Sequence, residues 1–265
     1  MPDAEQNSVT PSLRFPAESF LPMGIFRRLR TLVHLTLVPV RGETHQQRLD
    51  SFYRAQAADY DAFRAKMLHG RDELFAALPL AEGDVWVDLG AGTGENATRV
   101  GDRLKTLKKV YQVDLSTALQ EQAKQRIERE GWKNVETVYA DATTFTPPEG
   151  QADVVTFSYS LTMIPDWFAA IQNALRILRP GGTIGVVDFY VSRKHPAEGL
   201  KRHGWFSRTF WPVWYAINNV FVGYEHLPYL HHFFETVQTV EARGKVPHVP
   251  FLKTPYFWFI GRKKG

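Results

Sequence analysis

Cysteine is absent from this 265-residue chain, which excludes disulfide scaffolding, thiolate metal clusters and thiol nucleophiles and suits a reducing compartment. No run of about eighteen apolar residues occurs, so no membrane-spanning helix is expected. Residues 1–11 lack a basic stretch followed by an apolar one, so no signal peptide is indicated. Internal repeats and low-complexity tracts are missing as well. These absences predict a cytoplasmic protein, soluble or peripheral on the inner face of the membrane. What is present is 44% hydrophobic and 13% aromatic, enough to bury one full core. Lys and Arg number 32 against 28 Asp and Glu, a net charge of only +4, so the placement of charge says more than its sum.

One segment has no acid at all. Between Glu18 and Glu43 stand Arg27, Arg28, Arg30 and Arg41. Ile25, Phe26, Leu29, Leu32, Val33 and Leu37 recur there at helical spacing, with Arg27, Arg30 and His34 opposite and Pro22 and Pro39 as breakers, which predicts a basic amphipathic helix over 25–38. Such a helix lies in a membrane interface, drawn by anionic head groups and held by its apolar face. Residues 1–20, broken by Pro2, Pro11 and Pro16, read as a mobile lead-in, 21–44 as the interface segment and 45–265 as one domain.

Within that domain a helical region covers about 45–78, marked by Tyr53, Ala57, Tyr60, Phe63 and Met67. Strand-like runs at 84–89, 109–113, 134–140, 152–158 and 183–189 then alternate with helical stretches at 97–107, 116–130 and 167–178. This order predicts an α/β fold with a doubly wound, mostly parallel sheet. An aromatic and basic insertion at 193–230 precedes two further strand-like runs, 234–242 and 256–262, which would close the sheet as an antiparallel edge.

The strongest motif is Val85-Trp86-Val87-Asp88-Leu89-Gly90-Ala91-Gly92-Thr93-Gly94-Glu95-Asn96, an apolar strand ending in an acid and then a glycine-rich turn into a helix. Glycines there let a ligand lie against the backbone. A dinucleotide site wants a glycine where Glu95 stands, and Asp88 would repel a pyrophosphate, so an NAD-dependent oxidoreductase is disfavoured and a cationic nucleoside fits better. Asp114 ends the second strand, close to the offset of about 20 residues at which an acid accepts both ribose hydroxyls. Asp141 closes the third, where it can accept from an exocyclic adenine amine while the N–H of Ala142 meets a ring nitrogen. Ala91, Leu115 and Ser158, at the same strand ends, complete this candidate cofactor set. Leu178-Arg179-Pro180-Gly181-Gly182 reads as a helix stop before the fifth strand.

Taken in order, D-L-G-A-G-T-G, the acid after the second strand, A-D-A after the third and L-R-P-G-G before the fifth resemble the class I S-adenosyl-L-methionine-dependent methyltransferases over about 84–190. A closer resemblance covers about 25–262. Leu49-Asp50-Ser51-Phe52-Tyr53, Tyr60-Asp61-Ala62-Phe63-Arg64, Leu68-His69-Gly70-Arg71 and Ser158-Tyr159-Ser160-Leu161-Thr162-Met163-Ile164-Pro165-Asp166-Trp167 are similar to the methyltransferase part of betaine-lipid (diacylglyceryl-trimethylhomoserine) synthases. So are Val187-Asp188-Phe189-Tyr190-Val191-Ser192, Phe210-Trp211-Pro212 and Gly244-Lys245-Val246-Pro247.

That resemblance implies S-adenosyl-L-methionine as cofactor, a membrane lipid substrate, successive N-methylation of diacylglyceryl-homoserine, and a separate aminocarboxypropyl-transferase chain for the preceding step. An amine attacking a sulfonium methyl needs positioning, and the growing quaternary ammonium favours aromatic faces. Tyr53 and Tyr159 are therefore the catalytic candidates, with Trp167 and Tyr190 toward the substrate and Tyr60 in the cofactor set. Arg71 would pair with the methionyl or the homoserine carboxylate, and Asp188 with the substrate ammonium.

In the insertion, Arg193, Lys194, Lys201, Arg202 and Arg208 stand among Trp205, Phe206, Phe210, Trp211, Trp214, Tyr215 and Phe221. Such a mixture fits either an anionic membrane surface or a second small core. Nucleic acid is not expected as a partner, since no recognition helix or aromatic platform is present. His226, His231 and His232 read as structural or surface residues, no third metal ligand following at a familiar spacing. Other enzyme readings are a phospholipid ethanolamine N-methyltransferase and a quinone C-methyltransferase. A membrane-bound nucleotide-sensing adaptor would need a degraded cofactor site, yet every expected acid and glycine is in place.

Overall fold

The computed structural model describes residues 42–44, 47, 66–217, 219–247 and 249–265. The helix expected over 25–38 lies outside the described residues, as do Tyr53, Tyr60 and most of the helical region at 45–78. The described end of that region is not continuous helix: the chain turns at His69 and Gly70 and restarts as α1, Arg71–Ala77.

Seven strands follow: β1 (Val85–Leu89), β2 (Lys109–Asp114), β3 (Val135–Tyr139), β4 (Ala152–Ser158), β5 (Leu178–Phe189), β6 (Phe234–Val246) and β7 (Val249–Lys263). They form one sheet in the order β3-β2-β1-β4-β5-β7-β6, with the first five parallel and β7 antiparallel to both of its neighbours. Every residue of β1 is buried, as expected where both faces of a central parallel strand are covered. Val85, Val87 and Leu89 face one core and Trp86 the other. The antiparallel edge runs further than 234–242 and 256–262 because β6 and β7 go on pairing with each other, to Val246 opposite Val249, beyond the point where β5 ends.

The crossovers are α2 (Asn96–Arg99), α3 (Thr117–Glu130) and α4 (Trp167–Ile177). The helix expected at 97–107 is instead the short α2 followed by a 3-10 turn, Gly101–Thr106, because Gly101 adopts φ 58° and breaks the α ladder. α3 starts where Ser116 Oγ accepts from Leu119 N and stops at Gly131. α4 buries Ala170, Ile171, Ala174 and Ile177, an apolar stripe at helical spacing.

The L-R-P-G-G motif is more than a helix stop. Leu178 already pairs with Ala152, and the next pair is Val154 with Thr183, so residues 179–182 bulge out of the sheet. The insertion at 193–230 holds two helices, α5 (Trp205–Ala216) and α6 (His226–Phe233), the first continuing helical despite Pro212. Among the described residues no helix is long and apolar enough to cross a membrane.

Candidate functional site

Parallel strands that end at one edge leave a crevice beyond their carboxyl ends. Here it is a cavity of about 570 Å³. The turn after β1 supplies Gly90, Ala91, Gly92 and Thr93 to its wall, and β2 supplies Asp114 and Leu115. Asp141, Ala142 and Thr143 follow β3, and Ser158, Tyr159 and Ser160 come from the end of β4. Arg71, Glu95 and Asn96 close one side, and Leu68, Met163, Ile164 and Pro165 make an apolar stretch. The structure thus brings together Arg71, Gly90, Ala91, Gly92, Asp114, Leu115, Asp141, Ala142, Ser158 and Tyr159 from the sequence-predicted set. Asp88, Gly94, Trp167, Asp188 and Tyr190 are not on the wall.

Asp114 ties the glycine turn to the end of β2: Gly92 N donates to Oδ2 and Ser116 N to Oδ1, both at 2.8 Å. The glycines have separate reasons to be there. A Cβ on Gly90 would sit 2.4 Å from Ser160 Cβ, and one on Gly94 would sit 2.5 Å from Gln112 Oε1. These two serve close packing. A Cβ on Gly92, at φ 59°, would meet nothing nearer than Leu119 Cδ1 at 3.9 Å, so its bareness keeps the cavity open. Asp141 Oδ1 accepts from Thr143 N and Thr143 Oγ1, while Oδ2 has no partner among the described residues. Ser158 Oγ is buried without a partner. A nucleoside with ribose hydroxyls and an exocyclic amine would satisfy these acceptors, so the residues present fit S-adenosyl-L-methionine.

Asp88 does not reach that ligand space, a correction to the sequence reading. It is 1% exposed; Thr156 Oγ1 donates to it at 2.6 Å and Asn96 Nδ2 at 2.8 Å. Burial pushes its carboxyl up to about 6 against the pull of those donors. Arg71 continues the network, with Nη2 donating to Asn96 Oδ1 at 2.6 Å and Nη1 to Glu95 Oε2 at 3.0 Å. Burial lowers the Arg71 pKa. Burial also resists ionisation of Glu95, but Arg71, Arg99 and Arg126 outweigh it and hold the group below its ordinary value. The role of Asp88 is to orient Asn96, and through it the Arg71 guanidinium.

Asp188 is likewise fully buried, and burial raises its carboxyl to about 7. It accepts from Thr162 N, Thr162 Oγ1 and Phe189 N, so it has no access to a substrate ammonium in the cavity. Trp167 sits edge-on to His226 and Tyr229, and Tyr190 packs on His203 and Phe257; both belong to the core below the site. Tyr159 adopts φ 56°, and its hydroxyl donates to His69 O at 2.6 Å. Burial pushes that phenol well above its ordinary value, so Tyr159 offers the cavity a ring, not a base.

Sequence reasoning passed over several wall residues. Leu119, Gln122 and Arg126 stand at helical spacing on the α3 face that meets the turn, where Arg126 Nε donates to Thr93 O at 3.0 Å; that periodicity was the available signal. Asn96 follows Glu95 inside the glycine motif, and Met163, Ile164, Pro165 and Asp166 lie inside the 158–167 stretch, where no spacing sets them apart from their aromatic neighbours.

Comparison with known proteins adds the family. The profile of the ubiE/COQ5 methyltransferase family matches residues 43–215. Demethylmenaquinone methyltransferase of Lactococcus lactis is 26% identical over 151 residues, 55% of this chain and 60% of that protein. The ubiquinone/menaquinone biosynthesis C-methyltransferase UbiE of Francisella philomiragia is 28% identical over 153 residues, 56% of this chain and 61% of that one. The matches therefore span about three fifths of the length of these curated relatives. Among solved structures, the N-methyltransferase NodS of Bradyrhizobium japonicum with S-adenosyl-L-homocysteine aligns with a TM-score of 0.54 at 14% identity, covering 79% of this chain and 100% of that one. At that identity the likeness concerns the fold alone. With the family profile matching well over half of a class I methyltransferase fold, the chain belongs to the ubiE/COQ5 methyltransferase family.

Proposed function

We propose that this chain is an S-adenosyl-L-methionine-dependent N-methyltransferase that successively methylates the amine of diacylglyceryl-homoserine to the trimethylated betaine lipid. One observation carries the choice of acceptor. Four stretches that resemble betaine-lipid synthases, 68–71, 158–167, 187–192 and 244–247, are bonded to one another, and two of them reach the cavity wall at Leu68 and at Tyr159 with Met163 and Ile164. Tyr159 donates to the His69 carbonyl, and His69 Nε2 meets Lys245 O at 2.9 Å. A Cβ on Gly244 would stand 1.7 Å from the His69 ring. Thr162 bonds Asp188, joining the fourth-strand and fifth-strand motifs.

When bound, S-adenosyl-L-methionine supplies an electrophilic methyl group on a sulfonium. Asp114 would hold its ribose, Asp141 and Ala142 its adenine, and Arg71 its methionyl carboxylate. The chain's own contribution is positioning. Leu68, Met163 and Ile164 exclude water beside the acceptor, and the Tyr159 ring, fixed through His69, gives the developing quaternary ammonium an aromatic wall. The amine must be neutral at each of the three steps, so one proton passes to water before every methyl transfer.

A quinone ring carbon as acceptor is the second reading, favoured by the names of the relatives. The test incubates the protein with labelled S-adenosyl-L-methionine and, separately, diacylglyceryl-homoserine, phosphatidylethanolamine and demethylmenaquinone, then separates the lipids by thin-layer chromatography. Label in three successive products of the homoserine lipid is expected. Label confined to the quinone would overturn the proposal.

A further inference from the structure

An ordinary surface helix turns its apolar stripe inward and its polar face to water. α5 buries Ser207, Trp211 and Tyr215, yet its outward side is also apolar: Trp205 is 72% exposed, Phe206 55%, Val213 66% and, one residue beyond the helix, Ile217 54%. Phe221 continues the surface at 60% exposure. Phe251, 97% exposed, is a further bare ring at the end of the β6–β7 hairpin, and three residues on Thr254 Oγ1 ties that strand to α5, 2.8 Å from the Tyr215 hydroxyl. Large apolar side chains left exposed together on one helix face mark a contact surface.

The segment that carries it is basic. No acid occurs between Glu198 and Glu225, whereas Lys201, Arg202 and Arg208 do. Arg193 is neutralised by Glu225 at 2.7 Å, but the exposed Arg202 and the half-buried Arg208 have no carboxylate partner among the described residues. The patch also connects with the cavity. Tyr215 stacks on Phe189 with ring centroids 4.5 Å apart, and Phe189 lies 4.5 Å from the Tyr159 ring on the cavity wall. Phe221 N donates to Thr162 O at 2.8 Å, next to Met163.

We propose that the outward face of α5, with Phe221 and Phe251, docks on an anionic lipid bilayer and seats the apolar part of the cavity against it. Tryptophan and phenylalanine enter the head-group boundary while unpaired arginines meet lipid phosphates. The docking surface stands without any assignment of the acceptor; that the acceptor enters from the bilayer rests on the function proposed above.

The test is cosedimentation of the full chain with vesicles of phosphatidylcholine and phosphatidylglycerol, which contain neither proposed acceptor, at low and high salt. Trp205→Ser with Phe206→Ser and Val213→Ser is expected to lower partitioning at least about tenfold at both salts. Arg202→Gln with Arg208→Gln should lower it at low salt and converge on the unmodified chain at high salt, where head-group attraction is screened. S-adenosyl-L-homocysteine affinity, unchanged in both variants, reports that each is folded. Partitioning of the triple variant equal to that of the unmodified chain overturns the proposal, and so does equal binding to pure phosphatidylcholine. A dimer of the unmodified chain that the triple variant abolishes, without vesicle binding, would make the patch a contact between copies and also overturn it. Vesicle binding without label in any homoserine lipid would leave the docking surface standing and remove only the N-methylation reading.

Discussion

Asp188 and Asp88 are buried carboxyls held by neutral donors, and burial dominates both. For Asp188 the folded-state value is raised to about 7. Between roughly pH 4 and 7 the folded chain therefore keeps a proton there that the unfolded chain releases, so this group's contribution to stability falls as pH rises through that window, by about 1.4 kcal/mol per unit. Asp188→Asn retains Oδ1 as acceptor for Thr162 Oγ1 and Phe189 N and removes the titration. Urea unfolding at several pH values should show a correspondingly flatter profile in the variant, and an unchanged profile would refute the buried-acid account. Asp114→Ala deletes the carboxylate that holds Gly92 N and is proposed to hold the ribose. S-adenosyl-L-homocysteine binding, measured by calorimetry, is expected to weaken by about 1–3 kcal/mol. Legibility at this scale divided sharply. Asp114 and Asp141 were readable because a strand end followed by an acid fixes where the side chain stands. The burial of Asp88 was not, since it depends on Thr156 and Asn96 arriving from other elements.

At the level of elements, β1 to β4 match their sequence patterns to within a residue or so at each end, because short apolar runs bounded by turn residues have few other ways to be buried. The expected helix at 97–107 failed at Gly101, and the aromatic stretch hid α5 because its apolar residues occupy both faces, which erases the helical period. The hairpin of β6 and β7 reaches toward the site through His69, which meets Lys245 O and stacks on Tyr256. Gly244→Ala would drive a methyl into the His69 ring, and overpacking of this kind costs about 1–3 kcal/mol. In a chain already carrying His69→Ala the same substitution should cost clearly less, a coupling that a double-mutant cycle in urea unfolding measures. Equal costs in the two backgrounds would mean that the hairpin and the cavity wall are not linked through this ring.

For the whole molecule, the acids proposed to hold the cofactor and the basic segment expected to meet a membrane are separate in sequence. Deleting residues 1–40 removes Arg27, Arg28 and Arg30 but none of the strand-end acids. The deletion should leave S-adenosyl-L-homocysteine affinity unchanged and reduce sedimentation with anionic vesicles. Full retention of vesicle binding would assign the membrane contact to the α5 face alone. The sequence by itself determined the alternation of strands and helices, the glycine turn and the acids at β2 and β3, because these follow from local periodicity and from where a parallel strand must end. Only the tertiary structure decided that Asp188 faces Thr162 and not a substrate, that the Tyr159 hydroxyl donates a hydrogen bond to the His69 carbonyl, and that the second face of α5 is left outside. Each of these depends on a partner distant in sequence, 26 positions away for Asp188 and 90 for Tyr159. A pattern of neighbours along the chain records which residues are apolar or ionisable, while desolvation and hydrogen-bond saturation are settled by what packs against them.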